Sequence, residues 1–376
     1  MKQAAYDLRY LAACAVNGIT PDPTRVEAMD PIKLRKISKA HSLAALAAMA
    51  YAAAGVATNA EWLTDKEMAV RRTILFDRER ADILRFLEER GIWYLPLKGI
   101  ILKDMYPRLG MREMADNDIL FDATRSHEVV AFMKQRGYRA EGVGKNAHDC
   151  YYKEPIFNFE LHTKLFAESM SGVFSAYYRN IREKLIPDGN SQYGYRMRDE
   201  DYYIYMTAHE YKHFSRGGTG LRSLLDRYVY LSAKQEQLDL AYIEKECRTL
   251  GIDTFEKDSR ALCQKVFATP ELPTLDEAER EMLEYYMFST TYGTVSQAVV
   301  QRMTKLYGKT DRRARVRYLL RRLFPKIEFY KGYSPLAYRY KVLIPFAWLS
   351  RLIHAIFKRR KLIRSELRAV RDLDKK

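Results

Sequence analysis

Cysteine is scarce in this chain, which has four cysteines among its 376 residues. They are Cys14, Cys150, Cys247 and Cys263, and no two of them form a CxxC pair. This wide spacing argues against a zinc ribbon and against a scaffold held by disulfides, and it fits a reducing compartment. We therefore expect a cytoplasmic protein.

Long apolar runs are also missing. The segment 1–18 carries Asp7 and Arg9 within its apolar part, which is more typical of an amphipathic helix than of a signal peptide. The most apolar stretch, 341–357, is interrupted by Arg351 and followed by KRRK, so it is marginal for crossing a bilayer. We expect no integral membrane segment, and we favour a packed soluble helix over an interfacial one.

An excess of one charge is absent from most of the chain. Residues 1–308 contain 43 basic and 43 acidic side chains, whereas residues 309–376 contain 21 basic and five acidic ones. The net charge of +16 therefore belongs to the tail. A basic tail suggests an anionic partner, either nucleic acid or a membrane surface reached peripherally, and the alternative is a solvated helical face.

Helical patterns occupy both ends of the chain. Apolar residues recur at helical spacing before Gly91, which is well placed to end a helix. We expect a helical N-terminal domain at 1–90, a core at 91–195, a second helical domain at 196–305 and a basic helical region at 306–376. Prolines interrupt the last of these.

The middle of the chain has a pattern of short strands. IWYLPLKG at 92–99 and DNDILFD at 116–122 are short and apolar, which predicts strands. SHEVVAFMKQRGY at 126–138 has helical spacing and a glycine stop, and FNFELHTKLF at 157–166 begins with strand-like alternation. The order strand, strand, helix, strand predicts a compact α/β unit.

Three carboxylates fall on these predicted strands. Asp116 and Asp118 are two residues apart, so on a strand they share one face and repel each other unless a cation lies between them. Glu160, on the later strand with His162, is the candidate third carboxylate. Such oxygen ligands suit Mg²⁺ or Mn²⁺ bound with substrate phosphates, and two ions can stabilise a phosphoryl displacement. A DxD pair alone, however, is common at solvated strand ends.

A glycine and two basic residues precede the aspartates, and they favour a phosphate site over a solvated strand end. Gly99 follows a buried strand, and a glycine there lets the backbone approach a phosphate. Lys98 lies beside it, and Arg112 is a fixed cation that can hold phosphate oxygens. Gly99 and Arg112 are therefore candidate contacts for a phosphate.

The ordered set LKGIILKDMYP, MREMADNDILF, a helix ending in RGY, and FELHTKLF resembles the uncharacterised nucleotidyltransferase family of bacteria. That family belongs to the polymerase-β-like nucleotidyltransferase superfamily. The resemblance implies an α+β fold, in which a polymerase-β-like core of a small mixed sheet with flanking helices lies between mainly helical N- and C-terminal domains.

The resemblance also implies roles for individual residues. Asp116 and Asp118 match the two metal-binding aspartates, Glu160 matches the third carboxylate, and Gly99 matches the glycine of the phosphate-binding turn. Lys98 and Arg112 match basic positions for which we infer phosphate contacts.

Three departures from the superfamily pattern accompany these matches. Ile100 stands where a serine usually follows the glycine, Asn117 stands where an apolar residue is common, and the third carboxylate is a glutamate rather than an aspartate.

A second motif points to another chemistry. His209 to His213 read HEYKH, which fits HExxH, so on a helix both histidines would share one face and could bind zinc with Glu210 as base. The motif fixes only three letters, and Thr219 stands where a metzincin would place its third histidine.

The resemblance gives these histidines a different interpretation. In the family, a helix with spaced histidines, followed by an arginine and an aspartate, comes after the catalytic domain; here the last two are Arg222 and Asp226. We therefore interpret His162, His209, His213 and Asp226 as residues that line the cleft or support the fold.

One functional hypothesis follows. The chain transfers a nucleoside monophosphate from an NTP such as ATP to an unidentified acceptor, with Mg²⁺ or Mn²⁺ as cofactor and pyrophosphate as product. The resemblance slightly favours a glycan or small-molecule acceptor. The alternatives are a catalytically inactive nucleotide- or RNA-binding protein of the same fold, and an HExxH zinc hydrolase.

Overall fold

The computed structural model describes residues 1–57, 59–167, 172–289, 299, 303, 306–308, 311–358 and 360–372. The chain divides into two compact units, one of residues 1–211 with 220–291 and one of residues 212–219 with 292–376. Its described elements are helices apart from a five-stranded and a two-stranded sheet, which confirms the α+β class. The division into four segments stays a prediction.

Five helices precede the larger sheet. They are α1 (Lys2–Val16), α2 (Pro23–Glu27), α3 (Pro31–Ala40), α4 (Ala44–Ala53) and α5 (Ala60–Glu89). The Asn59 side chain caps α5 by accepting a hydrogen bond from the Trp62 backbone N–H. Gly91, with a φ of 64°, follows the end of α5, so the predicted glycine stop is confirmed.

The larger sheet is mixed. Its strands are β1 (Tyr94–Pro96), β2 (Asn117–Phe121), β3 (Arg139–Glu141), β4 (His148–Lys153) and β5 (Phe157–His162). Their order is β1-β2-β5-β4-β3, with β2 and β5 parallel and the other neighbours antiparallel. The sequence predicted β1, β2 and β5 but missed the hairpin β3–β4.

Short helices and a small hairpin surround this sheet. They are α6 (Gly99–Leu102), α7 (Ser126–Gln135), α8 (Gly172–Tyr177), β6 (Ile186–Pro187) and β7 (Tyr195–Arg196). Longer helices then follow, namely α9 (Asp199–Phe214), α10 (Leu221–Lys234), α11 (Leu240–Leu250), α12 (Asp253–Phe267) and α13 (Glu277–Ser289). The helical pattern expected from residue 196 onward is thus confirmed as far as Ser289, and most of 290–305 lies outside the described residues.

The two faces of the larger sheet differ in polarity. Ile119, Phe121, Phe159 and Leu161 are buried in one apolar cluster with side chains of α5 and α7. Because successive strand residues point to opposite faces, the residues between them face away from this core. The opposite face of β2, β5 and β4 is therefore free to carry polar side chains.

The basic tail is helical, as expected. Its helices are α14 (Arg312–Leu323), α15 (Ile327–Tyr333), α16 (Pro335–Arg339), α17 (Ile344–Lys358) and α18 (Arg360–Asp372). Proline stands after α14 and within the first turns of α16 and α17, where its missing N–H costs little. Over the described part of the chain, no helix has both the length and the apolarity needed to cross a membrane.

A buried histidine ties three helices of the larger unit together. His41 follows α3 and is fully buried. Its Nδ1 accepts a hydrogen bond from the Leu221 backbone N–H at 3.0 Å, and its Nε2 lies 3.0 Å from the Met287 carbonyl oxygen. Both ring nitrogens are satisfied only by the neutral ring that carries its proton on Nε2. Burial accordingly lowers the pKa of His41 from 6.5 to about 4.

This histidine should make the folded protein acid-sensitive. As the pH falls below 6.5, the unfolded chain gains a proton that native His41 excludes, so stability falls until the pH reaches the folded-state pKa of about 4. The loss is about 1.4 kcal/mol per pH unit, or about 2 kcal/mol by pH 5. Urea unfolding at pH 7.5 and pH 5 measures the free energy of unfolding. Between these two pH values, His41→Gln should lose about 2 kcal/mol less of it than the wild type loses.

The matched control is His127→Gln, which replaces a histidine whose side chain is 78% exposed. Its stability should follow the wild-type pH dependence. If the stabilities of His41→Gln and His127→Gln depend on pH in the same way, the buried neutral His41 is not the cause of the acid sensitivity.

Candidate functional site

Asp118 and Glu160 lie opposite each other at the centre of the sheet. Asp118 on β2 pairs in register with Glu160 on β5, and the two strands run parallel. Both side chains therefore project from the face that points away from the apolar core. The two carboxylates are far apart in sequence. They meet because β2 pairs with β5 and because both side chains lie on the same face of the sheet.

The Asp118 carboxylate has two cationic or polar partners on one oxygen. The Lys98 Nζ lies 2.5 Å from its Oδ1, and the His162 Nε2 lies 2.8 Å from the same atom. The Asp118 side chain is only 2% exposed, so these contacts replace water. The structure thus brings Lys98, Asp118, Glu160 and His162 together, and the roles assigned to them from the sequence stay predictions.

An unusual turn places the Lys98 ammonium on Asp118. Lys98 has a φ of 49°, a conformation that costs energy for a residue with a Cβ. The Tyr202 hydroxyl donates to the Lys98 carbonyl at 2.8 Å, and the Leu97 N–H donates to the Asp118 carbonyl at 2.9 Å. These two bonds hold the turn against β2.

The negative charges of the site perturb one another. Burial and then the neighbouring Asp118 charge raise the pKa of Asp116 above its usual range. Burial, Asp118 and Asp116 together raise the pKa of Glu160 to about 8. Burial has the same tendency at Asp118, but Lys98 and His162 outweigh it and hold the pKa of Asp118 below its usual range. Three carboxyl groups therefore share a region with too little positive charge to ionise them all.

The donor set on this face fits a divalent cation. One ligand atom each from Asp118, Glu160 and His162 lies within 4.8 Å of the others. Asp116 lies immediately before β2 and supplies no atom to this group, although its charge acts on Asp118 and Glu160. The buried Tyr205 hydroxyl, which interacts electrostatically with Lys98 and Asp118, has no hydrogen-bond partner within the described structure. A crowded carboxylate pair beside an unsatisfied hydroxyl is suited to a cation or a polar ligand.

Gly99 is required by close packing. A Cβ at this position would lie 2.3 Å from the Arg112 Nη1 and 3.0 Å from the Met114 sulfur. The first distance is too short for a carbon atom and the second is tight, so a side chain here would displace Arg112. The predicted phosphate contact of Gly99 stays a prediction.

Arg112 is held by a buried acidic partner. Its Nε and Nη2 donate to the two carboxylate oxygens of Asp226 at 2.9 Å each, and the Tyr106 hydroxyl donates to the same carboxylate at 2.7 Å. This bidentate pair fixes the guanidinium beside Gly99. Asp226 therefore supports the turn through Arg112, and the proposed contact of Arg112 with phosphate remains untested.

Asn117 has a structural reason for its place between the two aspartates. It is fully buried, and its Oδ1 accepts a hydrogen bond from the Arg80 Nη1 at 2.8 Å. Arg80 also pairs with Asp77 on α5. The amide thus anchors the start of β2 to α5, a task that an apolar residue cannot perform.

The HExxH motif lies on α9, but its glutamate is already engaged. The Glu210 carboxylate lies 2.5 Å from the Arg227 Nη2 and accepts a hydrogen bond from the Tyr286 hydroxyl at 2.7 Å. Among the described residues, His209 and His213 belong to no cluster of three metal-ligand side chains. A Glu210 bound in the core is not available as a catalytic base, which argues against the zinc hydrolase alternative.

Sequence reasoning missed two residues next to the site. β4 pairs with β5 so that His148 lies opposite His162 and Cys150 lies opposite Glu160. All four side chains share the polar face. The alternation in HDCYYK was the only available signal, and it is ambiguous because both faces of that strand carry polar residues.

Removing only one partner of the buried Arg112–Asp226 pair should destabilise the fold strongly. Asp226→Asn leaves a buried guanidinium without its counter-charge, so we expect a loss of about 3 kcal/mol in the free energy of unfolding. Urea denaturation measures it. Removing both charges with Arg112→Met and Asp226→Leu should recover part of the loss, because no buried charge is then unpaired.

The control for this prediction is Asp199→Asn. Asp199 forms a partly exposed pair with Lys234, so its replacement should cost less than about 1 kcal/mol. Equal losses for Asp226→Asn and Asp199→Asn would show that the buried pair is not special.

Comparison with known proteins agrees with this geometry. The profile of the family described as "Uncharacterised nucleotidyltransferase" matches residues 27–268, which include the whole five-stranded sheet and α9 and α10. No curated protein and no solved structure matches the chain significantly. The match covers well over half of the sequence, so the chain belongs to the uncharacterised nucleotidyltransferase family.

Proposed function

We propose that the chain transfers a nucleoside monophosphate from an NTP to an acceptor hydroxyl, in a reaction that depends on Mg²⁺ or Mn²⁺. The pairing of Asp118 with Glu160 on parallel neighbouring strands, beside Lys98, carries this proposal. Membership of the nucleotidyltransferase family supports the reaction class. The acceptor is a separate question, for which the family resemblance slightly favours a glycan or a small molecule.

Asp116, Asp118 and Glu160 are the proposed metal ligands. Burial, together with the charges of Asp118 and Asp116, raises the pKa of Glu160 to about 8, as expected where carboxylates converge without a cation. A divalent ion bound there would neutralise this charge and the charge that develops on the transferring phosphate. His162 holds Asp118 in place through its Nε2, and Glu160, whose side chain is 21% exposed, is the proposed acceptor of the hydroxyl proton.

Lys98, Gly99 and Arg112 are the proposed nucleotide-binding residues. Lys98 already supplies a positive charge at Asp118, and a charge at this position also attracts a polyphosphate. Gly99 and Arg112 shape the turn that follows β1. Asp226 supports this cleft through Arg112. The cleft role of His209 and His213 stays a prediction.

A nucleotide-binding experiment tests the metal role. Labelled ATP, GTP, CTP and UTP are titrated against the full chain with and without Mn²⁺, and pyrophosphate release is followed with hydroxyl acceptors. We expect Mn²⁺-dependent binding that Asp118→Asn weakens by more than about 100-fold, because it removes a ligand and not merely its support. Asp116→Asn should weaken binding as well.

The matched control is Asp122→Asn, which alters the same residue type at the opposite end of β2. It should leave Mn²⁺-dependent binding unchanged. If Asp118→Asn binds as the wild type does, the metal role is wrong. Binding that needs no metal, is weakened by salt and never releases pyrophosphate would instead indicate the inactive binding protein.

A further inference from the structure

A second set of metal-ligand side chains adjoins the first. We propose that His148, Cys150 and Glu160 form a site for a transition-metal ion such as Zn²⁺, and that this site shares Glu160 with the proposed Mg²⁺ site. Occupation by Zn²⁺ then inhibits nucleotidyl transfer. The inhibition rests on the proposed function, whereas the binding of the metal does not.

Strand register creates this arrangement. Cys150 on β4 lies directly opposite Glu160 on β5, and His148 is two residues away on the same face. One ligand atom from each of the three side chains lies within 4.8 Å of the others, and the His148 Nε2 is 3.6 Å from the Glu160 Oε2. Small side-chain adjustments therefore suffice to place three ligands around one ion.

The site is open to solvent on one side. The side chains of His148 and Glu160 are 34% and 21% exposed, and Cys150 is partly exposed. The other three cysteines, Cys14, Cys247 and Cys263, are buried. Within the described structure, Cys150 is therefore the one thiol that an ion can reach without local unfolding.

The chemistry of the ligands selects the ion. A thiolate, an imidazole and a carboxylate make up a mixed sulfur, nitrogen and oxygen set, which suits Zn²⁺ or Co²⁺ with an open fourth position. Mg²⁺ prefers oxygen ligands alone, so it should not compete for Cys150. The thiol releases its proton to solvent as the ion binds.

The shared glutamate links the two sites. Glu160 belongs to two groups of ligand atoms that lie within 4.8 Å of one another. One group includes Asp118 and His162, and the other includes His148 and Cys150. One carboxylate oriented toward Cys150 is no longer oriented toward Asp118. A thiophilic ion should therefore withdraw a ligand from the Mg²⁺ site without blocking the nucleotide itself.

Cobalt is the probe for the binding step. Co²⁺ added to the full chain should give a thiolate-to-cobalt charge-transfer band in the near ultraviolet, and Zn²⁺ should abolish the band by displacement. The band should be lost in Cys150→Ser and kept in Cys14→Ala, which removes a buried thiol. His148→Asn should weaken Co²⁺ binding by about 10-fold or more, and the exposed control His127→Asn should not.

Three results would overturn the site: no charge-transfer band in the wild type, a band that persists in Cys150→Ser, or equal affinities for His148→Asn and His127→Asn. In the activity arm, Zn²⁺ should inhibit Mg²⁺-dependent pyrophosphate release, and Cys150→Ser should need about 10-fold more Zn²⁺ for the same inhibition. A cobalt band in a chain that releases no pyrophosphate supports the site formed by His148, Cys150 and Glu160. That result counts only against the proposed function. Equal inhibition of wild type and Cys150→Ser overturns the regulatory link.

A different feature, in the C-terminal unit, carries a second inference. Val316, Leu320 and Leu323 on α14 are exposed at helical spacing, and so are Phe346, Leu349 and Ile353 on α17. The Trp348 Nε1 donates to the Leu323 carbonyl at 2.8 Å, and the Trp348 ring stacks on Phe324. The two helices are thus joined, and among the described residues each has an exposed apolar stripe, so the helix expected to be packed at 341–357 is partly exposed.

We infer that this unit binds an anionic lipid surface. Exposed arginines flank the α14 stripe, so apolar and basic side chains occur together, as in helices that lie at a charged bilayer interface. A nucleic acid would use the basic residues, but phosphate contacts would leave the exposed leucine and phenylalanine side chains without a role. Lipid uses both.

Vesicle flotation tests this inference with the full chain. We expect binding to phosphatidylglycerol vesicles and about 10-fold weaker binding to phosphatidylcholine vesicles. Phe346→Ser with Leu349→Ser should weaken binding to the anionic vesicles by about 10-fold, and the control Ile32→Ser, at a position 79% exposed in the other unit, should not. No flotation, or loss equal to that of Ile32→Ser, overturns the inference. Binding to an RNA oligomer that excludes the vesicles favours nucleic acid instead.

Discussion

The ion pair between Lys98 and Asp118 is the contact on which the arrangement of the site depends. An isolated carboxylate buried to this degree would be unstable as an anion, and the ammonium makes its ionised form the favoured one. To place that ammonium, the chain accepts a left-handed backbone at Lys98, braced by the Tyr202 hydroxyl. The unusual turn is therefore tied to an electrostatic requirement.

A second buried ion pair, between Arg112 and Asp226, supports the same turn. Asp226 on α10 fixes Arg112, and Arg112 fills the space that a side chain at Gly99 would need. The helical segment after the sheet thus holds the turn at Gly99 in place through one guanidinium.

Much of the site could be predicted because its signals are local. The spacing of Asp116 and Asp118, and the alternation around Glu160 and His162, depend only on the period of a strand. The partner of Arg112 could not be predicted in this way, because Asp226 is 114 residues away and no spacing rule connects the two. β4 was missed because polar residues occupy both of its faces, so its sequence has no apolar alternation to recognise.

The parallel pairing of β2 with β5 also ties the chemistry of this chain to its folding. In the two strands, Ile119 and Leu161 pack in the core that includes α5, whereas Asp118 and Glu160 face the other way. If β5 shifted by one residue, Glu160 would turn into the core and Leu161 would take its place beside Asp118. The packing of the apolar residues thus fixes the register of the carboxylates. A chain with a misaligned site would also have a poorly packed core and would therefore be less stable.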